Sequence, residues 1–533
     1  MQIGCPRFGI DNWIYLTYAP GDIVCRRPGF ETTEPVKLPR QDMRFHPLTM
    51  TFESVSGLGQ FGNTIDNDGN RFFSTNRNPI MMEMIPEAAA KRNPYATIST
   101  RHTDVGPSGG DTRVFPLVDM KSNWLAHAGT HTSACGVSAY RGDLWNDGFQ
   151  HSVFVCEPVG HLVTRSIVGP LKGSPALTAT RARENADFLA SSDTWFRPGS
   201  MRTGPDGALY LADMYRMWVE HPKFLPPEIA AQIDWRAGED KGRIWRIVPE
   251  GHRKAPSKFV APTTVPEMIK LLEDTNGWRR QTAQRLLLER FAGQIVPMQV
   301  CGLCLEVTPQ DVAEASMLLR TLLRSDDSSA ASRHHALQCL DGLDAMTEAD
   351  LLAAMKDSSP IVRSAASNLS LRWLDVSSSL RAAGRSLLLD ADARVQLTAL
   401  LNIRSAPPNW PVHTGTEVMM SPLWSDKWFQ QTALSVAHEQ AEMLTAVLAA
   451  RSGIAGHPES KDLGDHTPLI GELAAVVAAA GNERRLLSVL QIAANERSAN
   501  ADVAAVLKGL DQGARRNKGP LAYRTLSSLL TAP

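Results

Sequence analysis

TWFRPGSMRTGPDGALYLADMYRMWVEHPKFLPPEIAAQIDWRAGEDKGRIWRI, from Thr194 to Ile247, decides how the first half of this chain folds. Its centre, GPDGALYLAD, reads as a turn followed by a strand. Pro205, Asp206 and Gly207 supply a fixed φ, Asx-type hydrogen bonding and a position that tolerates positive φ. Leu209 and Leu211 then alternate with Ala208, Tyr210 and Ala212, the pattern of a half-buried strand. Asp213, Tyr215 and Arg216 follow where that strand ends, and strand ends are where a rigid scaffold presents functional groups.

The unit recurs in IDNWIYLTYAP (Ile10 to Pro20) and DNDGNRFFSTNRN (Asp66 to Asn78). Setting Gly207, Gly69 and Asn12 equivalent brings Tyr210, Phe72 and Tyr15 to one aromatic position. Repeated turn-plus-aromatic-strand units are the mark of β-propeller blades, with a stacked β-sandwich as the alternative. The uneven spacing requires further blades or insertions between the copies. The chain opens inside such a unit, so residues 1–250 are expected to form an incomplete propeller.

With 533 residues the chain exceeds what one core can serve, and two to four domains are expected. A formal net charge of −1 gives no electrostatic reason to expect a nucleic-acid partner. No run of about eighteen apolar residues occurs, so no transmembrane segment is expected. The first residues, MQIGCPRFGIDNW, lack the basic and apolar regions of a secretory signal.

Seven cysteines leave the redox compartment open. Cys135 and Cys156 flank a hairpin expected around Asn146-Asp147-Gly148 and are candidates for a disulfide. Cys5 and Cys25 are similarly spaced, and buried free thiols are the alternative for all four. Cys301 and Cys304 form a lone CxxC in a helical region. Zinc would need two more ligands, of which His334 and His335 are nearest in sequence, so core packing is the simpler reading.

From His252 to Pro266 the chain becomes HRKAPSKFVAPTTVP, and residues 251–266 read as a linker. Beyond it, over 267–533, helical spacing takes over and one pattern repeats. It places Arg280, Arg333, Arg363, Gln396 and Gln430 in register, with later steps of 30, 33 and 34 residues. Three residues after each lies an alanine (Ala283, Ala336, Ala366, Ala399, Ala433) that lets paired helices approach closely. No single helical hairpin buries its apolar stripe alone, so the hairpins must stack. Asp357 to Ala366 comes close to the HEAT-repeat consensus, and the second half is expected to be a HEAT-like α-solenoid.

Three polar clusters sit at expected strand ends. They are Asn76-Arg77-Asn78; His127 to Asp143, with His131, Tyr140 and Arg141; and Asp213 to Arg216, with Glu220 and His221 after it. On one face of a propeller they would supply a base (His131 or Asp213), cationic clamps (Arg77, Arg141, Arg216) and polar groups from Asn78 and Tyr140 around one mouth. The plain alternative is that the arginines pin neighbouring blades and the histidines are structural. Asp66-Asn67-Asp68-Gly69-Asn70 resembles the start of a calcium loop, but no acidic residue closes the shell, and an ordinary hairpin turn is the better reading. No metal site is expected from the residues themselves.

GQFGNTIDNDGNRFFSTNRNPIM, HTSACGVSAYRGD, FVCEPVGHLVTR, FRPGSMRTGPDGALYLADMYR, HPKFLPPEI and RAGEDKGRIWRI occur in order over residues 1 to 250. In sequence and spacing they resemble the Pirellula/Verrucomicrobium-type membrane-bound dehydrogenases, also called PVC-type haem-binding CxxCH proteins. The resemblance implies a propeller akin to glucose/sorbosone dehydrogenases, then helical repeats, then a cytochrome-like domain carrying haem c. It also implies export to the periplasm or cell envelope, and makes pyrroloquinoline quinone, used by those sugar dehydrogenases, and Ca2+ the candidate cofactors, although no residue of this chain demonstrates either. This sequence departs from that pattern in having no CxxCH, so the haem domain is expected to be missing from it. The resemblance therefore implies the propeller of a quinone-dependent enzyme oxidising a sugar or other alcohol. The alternative is a non-catalytic carbohydrate- or protein-binding propeller, with the helical repeats as a surface for a protein partner.

Overall fold

The structure, a computed structural model, describes residues 3–17, 21–26, 31, 34–118, 129–145, 147–219, 223, 226–252, 254–255, 258–295, 308–403, 421, 423–435, 444–445, 448, 467–495 and 498–516. His127, Asn146, Glu220, His221, Cys301 and Cys304 lie outside the described residues. The N-terminal part is a four-bladed β-propeller-like arrangement, and α-helical repeats follow it. The propeller reading holds and the sandwich does not.

Blade one contains β1 (Gly4–Phe8) and β2 (Ile14–Thr17), then a side hairpin of β3 (Gly21–Ile23) and β4 (Val36–Leu38), then β5 (Asp42–Phe45) and β6 (Phe52–Val55). Blade two runs through β7 (Gly62–Ile65), β8 (Arg71–Thr75), β9 (Asn78–Glu83) and β10 (His102–Asp104), with helix α1 (Glu87–Ala90) between the last two. Blade three is β11 (Cys135–Ala139), β12 (Ser152–Glu157), β13 (Leu162–Pro170) and β14 (Leu177–Arg181), with β15 (Leu189–Ala190) also on β13. Blade four is β16 (Pro198–Thr203), β17 (Leu209–Asp213) and, after α2 (Pro227–Ala230), β18 (Arg243–Ile247). Only this sheet has three strands rather than four among the described residues.

The inner strands β1, β7, β11 and β16 neighbour one another in turn. Asn63 donates to the Cys5 carbonyl, and the Ala139 amide donates to Thr64. The Arg202 guanidinium on β16 lies close enough to Cys5 on β1 to favour its thiolate form, which brings β16 back to β1. Strands enclosed on both faces lose the alternation of a half-buried strand. β12 is buried along its whole length, whereas β17 keeps Leu209 and Leu211 inside and Ala212 outside.

The three turns aligned by sequence share one backbone geometry. Asn12, Gly69 and Gly207 have φ of 68°, 88° and 78°, the left-handed region that favours glycine and asparagine. Blades one and four share a side-chain triad as well. Tyr15 donates to Asp11 at 2.6 Å and Tyr210 to Asp206 at 3.1 Å. Arg44 and Arg246, each the cross-strand partner of that tyrosine, bond the same carboxylates.

The helices begin at α3 (Val265–Leu271) and α4 (Gly277–Ile295), followed by α5 (Pro309–Leu323), α6 (Ala330–Gly342), α7 (Glu348–Ala354), α8 (Pro360–Ser370), α9 (Ser378–Ser386) and α10 (Ala393–Asn402). Next come α11 (Lys427–Ser435), α12 (Thr467–Ala480), α13 (Glu483–Ala493) and α14 (Asn500–Arg516). The five repeat positions fall on α4, α6, α8, α10 and α11, and all five alanines are buried. The residue aligned before each alanine has a single recurrent task. Arg280, Arg363, Gln396 and Gln430 each donate to the carbonyl six residues earlier, on Asp274, Asp357, Asp390 and Trp424. Arg333 donates to the carbonyl of Ser328, five residues earlier. A long donor reaching back across the helix start satisfies carbonyls that the preceding turn leaves unpaired.

The chain forms two compact bodies, and their division does not follow the change from strand to helix. The first comprises Met1–Glu83, His102–Pro170 and Leu177–Asp350, so it joins the propeller to α3–α6. The second comprises Met84–Arg101, Leu171–Ala176 and Leu351–Pro533. Inside the second body, Arg92 donates to the Ile403 carbonyl, Asn93 to the Leu434 carbonyl and Ser174 to Asp426. There α12 and α14 touch through glycines: a Cβ on Gly509 or Gly513 would strike the backbone of α12. Cleavage between Glu250 and Pro262 should therefore leave both fragments co-eluting in gel filtration until denaturant is added. Separation under native conditions would show that α3–α6 are not bound to the propeller.

Candidate functional site

The polar clusters divide between the two ends of the propeller. Successive strands of a blade run antiparallel, so residues after the first strand and residues after the second emerge at opposite ends. Tyr140 and Arg141 follow an inner strand, β11. Arg77, Asn78, Asp213 and Arg216 follow or adjoin the ends of second strands, and His131 precedes β11. The single mouth expected for Arg77, His131, Arg141, Asp213 and Arg216 is thereby corrected, because Arg141 sits at the far end from the other four.

At the Arg141 end, α4 and the loop before it touch all four blades. Gln281 donates to the Phe8 carbonyl, and Gln284 donates to the Ile10 carbonyl and to Asn12 Oδ1, both at 2.6 Å. Arg280 reaches Asn67 at 2.8 Å, and the Gly277 amide donates to the Arg141 carbonyl at 2.6 Å. Asn276 and Arg279 donate to the carbonyls of Gly204 and Pro205, and Thr275 to Asp143. From α6, the Gln338 carbonyl accepts from Asn12. Because Gln284 spends its amide nitrogen on the Ile10 carbonyl, its oxygen accepts from His335, which fixes the His335 proton on Nδ1.

Arg141 is 7% exposed. It bonds Asn67 through Nε at 3.1 Å and Gln281 through Nη1 at 2.9 Å. Burial, with the Arg280 charge adding to it, pulls its pKa down to about 9. Tyr140 donates to the Gly207 carbonyl and accepts from the amides of Leu144 and Trp145. Burial lifts its hydroxyl to about 12. Asp66, first of the calcium-like residues, takes three hydrogen bonds from its own turn, from the Asp68 amide and both nitrogens of Asn70.

At the opposite end, His131 is 3% exposed and bonds Glu157 through Nδ1 at 3.1 Å, with Thr164 near Nε2. Glu157 is fully buried and also accepts from the amides and hydroxyls of Thr132 and Ser133. Burial pushes its carboxyl up, but the His131 and Ser133 contacts outweigh this and hold it below the usual range. Asp213 is 3% exposed and accepts from the amides of Arg197 and Tyr215, from Arg243 and from the Trp245 indole. It thereby shapes the turn in which Tyr215 takes a φ of 48°. Asn78 bridges Thr75 and Asp104. Arg216 meets the Glu239 carbonyl at 3.5 Å, and Arg77 is half-buried.

A groove of about 550 Å³ lies along β18, lined by Leu189, Asp193, Phe196, Arg243, Trp245 and Arg246 among others. No motif pointed to it. Trp245 lies opposite the buried Leu211, in the register that period-2 alternation reads as core, so the sequence pattern carries no signal for it. Cys135 and Cys156 are direct cross-strand partners on β11 and β12, and both are free thiols. Residues opposed in an antiparallel pair have Cα atoms about 4.5–5.5 Å apart, within the range a disulfide needs. Burial raises both thiols, so both are weakly reactive.

Residues 1–251 match a family described as a domain of unknown function, DUF7133. No curated protein and no solved structure matches the chain.

Two outcomes follow from this chemistry. Glu157→Gln leaves the Ser133 and Thr132 donors and His131 facing a neutral amide, and should cost about 3 kcal/mol in urea unfolding. An unchanged midpoint would mean that the network is dispensable. Burial, with Arg141 adding to it, lowers His334 from 6.5 to about 4, and His335 falls well below its usual value. An imidazole depressed in the fold contributes stability above pH 6.5 that is lost on acidification toward pH 4, about 3 kcal/mol for His334. Melting temperature should fall across that window and fall less in His334→Gln; identical profiles would contradict this.

Proposed function

We propose that this chain is a ligand-binding propeller braced by helical repeats, with a polyhydroxylated ligand such as a sugar in the β18 groove. The observation that carries it is Trp245, an indole 44% exposed on a groove wall beside Arg243 and Asp193. The part of the indole that Arg243 leaves uncovered gives a sugar ring its apolar contact, and the donors and lone pairs that Arg243 and Asp193 do not spend on each other and on Asp213 give its hydroxyls partners. The two groups best suited to acid–base chemistry, His131 and Asp213, are spent on internal hydrogen bonds, which favours binding over turnover. The later helical repeats serve as the surface for a protein partner.

The ordered motifs, together with a propeller followed by helical repeats, support a second reading. In it the propeller belongs to a dehydrogenase of the resembled family, exported to the periplasm or cell envelope. A sugar or other alcohol would be oxidised there with a quinone, and electrons would pass to a haem domain outside this sequence. No CxxCH is present to hold haem, and Asp66 is occupied by its own turn, so no step through either group is derived.

Calorimetric titration with mono- and disaccharides should give saturable binding that Trp245→Ala weakens roughly tenfold. Dye reduction with quinone and sugar supplied discriminates between the readings. Turnover abolished by His131→Gln and untouched by Trp245→Ala would replace the binding reading with the dehydrogenase one.

A further inference from the structure

Two arginines meet where the blade-two turn, the end of β11 and α4 come together. Arg141 and Arg280 are 7% and 3% exposed, and both donate to a single oxygen, Asn67 Oδ1. Arg141 uses Nε and Arg280 uses Nη2. Each arginine thus turns toward Asn67 the edge formed by Nε and Nη2, the edge that matches the two oxygens of an oxyanion. On each, only half of that edge is used. Arg141 Nη2 and Arg280 Nε are buried and have no hydrogen-bond partner among the described residues. His334 Nδ1, on the adjoining face of α6, is in the same condition. Buried polar atoms are normally paired, and a cluster of unpaired ones requires an explanation.

The charge balance points the same way. Among the described residues no carboxylate hydrogen-bonds either guanidinium; Asp66, Asp143 and Asp274 act on them only through space. The repeat does not require the charge at position 280. In later repeats Gln396 and Gln430 make the same hydrogen bond, six residues back, without one. An amide would also suffice to bond Asn67. Two buried like charges sharing one neutral acceptor are costly at low dielectric unless something negative joins them.

We propose that Arg141 and Arg280 form a binding site for a small inorganic oxyanion of the phosphate or sulfate class. It is held between the unused Nη2 and Nε donors beside Asn67, and it clamps α4 to the propeller. Bound there, the anion neutralises the pair and ties the helical brace to blades two and three. The site lies at the opposite end of the blades from the turns carrying His131 and Asp213, and it is independent of any sugar in the groove.

The test uses the full chain, dialysed into chloride and then titrated with sodium sulfate or inorganic phosphate at matched ionic strength. Melting temperature and calorimetry are read together. The native chain should show saturable stabilisation, with one anion bound. Arg280→Gln keeps the hydrogen bond to the Asp274 carbonyl and removes one charge, and it should weaken anion binding at least tenfold. Asn67→Asp places a carboxylate between the arginines. It should raise the melting temperature in chloride and abolish the response to sulfate and phosphate. No saturable response in the native chain overturns the proposal. So does an Asn67→Asp chain that is less stable than the native one and still responds, or an Arg280→Gln chain that binds the anion unchanged.

Discussion

The first body depends on one seating, that of α4 and the loop before it on the four blade turns at one end of the propeller. The turns place Asn12, Asn67, Asp143 and the Gly204 and Pro205 carbonyls at that end, and residues 275 to 284 answer each of them. A propeller end is a ring of backbone groups at the limits of their strands, and unpaired backbone groups lose free energy when buried. Covering them with glutamine, asparagine and arginine rather than with leucine lets the helix be buried without stranding them. That requirement explains why the helix face in contact with the blades is polar although it is enclosed.

Once the helix is seated, the rest of the body has little freedom. Asn12 serves the blade through its left-handed φ and the helices through its side chain, so blade-one geometry and helix position are set by one residue. Gly277 is similarly confined: a Cβ there would meet Asn67 and Arg141 at 3.0 Å or less. The family match ends at residue 251, whereas the packed body ends at Asp350. Sequence pattern changes where strands give way to helices, but packing continues across the linker, because the turns need a partner that the strands cannot supply.

Much of the architecture was legible in the chain. The alignment of Asn12, Gly69 and Gly207 worked because positive φ restricts residue choice sharply, and the alanine register worked because helix contact restricts volume. Both are local steric demands that leave a mark at one position. What was not legible was which strand ends share an end of the propeller. Asp213 and Arg141 both follow a strand, and only the strand's order within its blade separates them. Counting β11 as a first strand and β17 as a second would have divided them, but the long segment before β11 concealed the count. Gln281 and Gln284 on α4 and Gln338 on α6 carry no mark of this contact, and His334 and His335 stand out only as candidate zinc ligands, because a polar stripe on a helix reads as a solvated face. It reads as a buried contact only when the opposing surface is known to be a ring of turn carbonyls.

The same reasoning separates structural polarity from polarity that has another use. At Asp66, Asp213 and Glu157 the internal donors account for the carboxylate, and nothing is left over to explain. Arg333 and Arg363 are accounted for by the carbonyls before their helices, with Asp390 added for Arg363. Arg280 carries out that repeat task in full and still brings a positive charge, and an unused donor, to a place where Arg141 already supplies both. Folding alone would select against such a pair, because each charge raises the cost of burying the other. A polar group that the fold uses completely is evidence about the fold. One that remains after the fold's needs are met is evidence about something the protein binds.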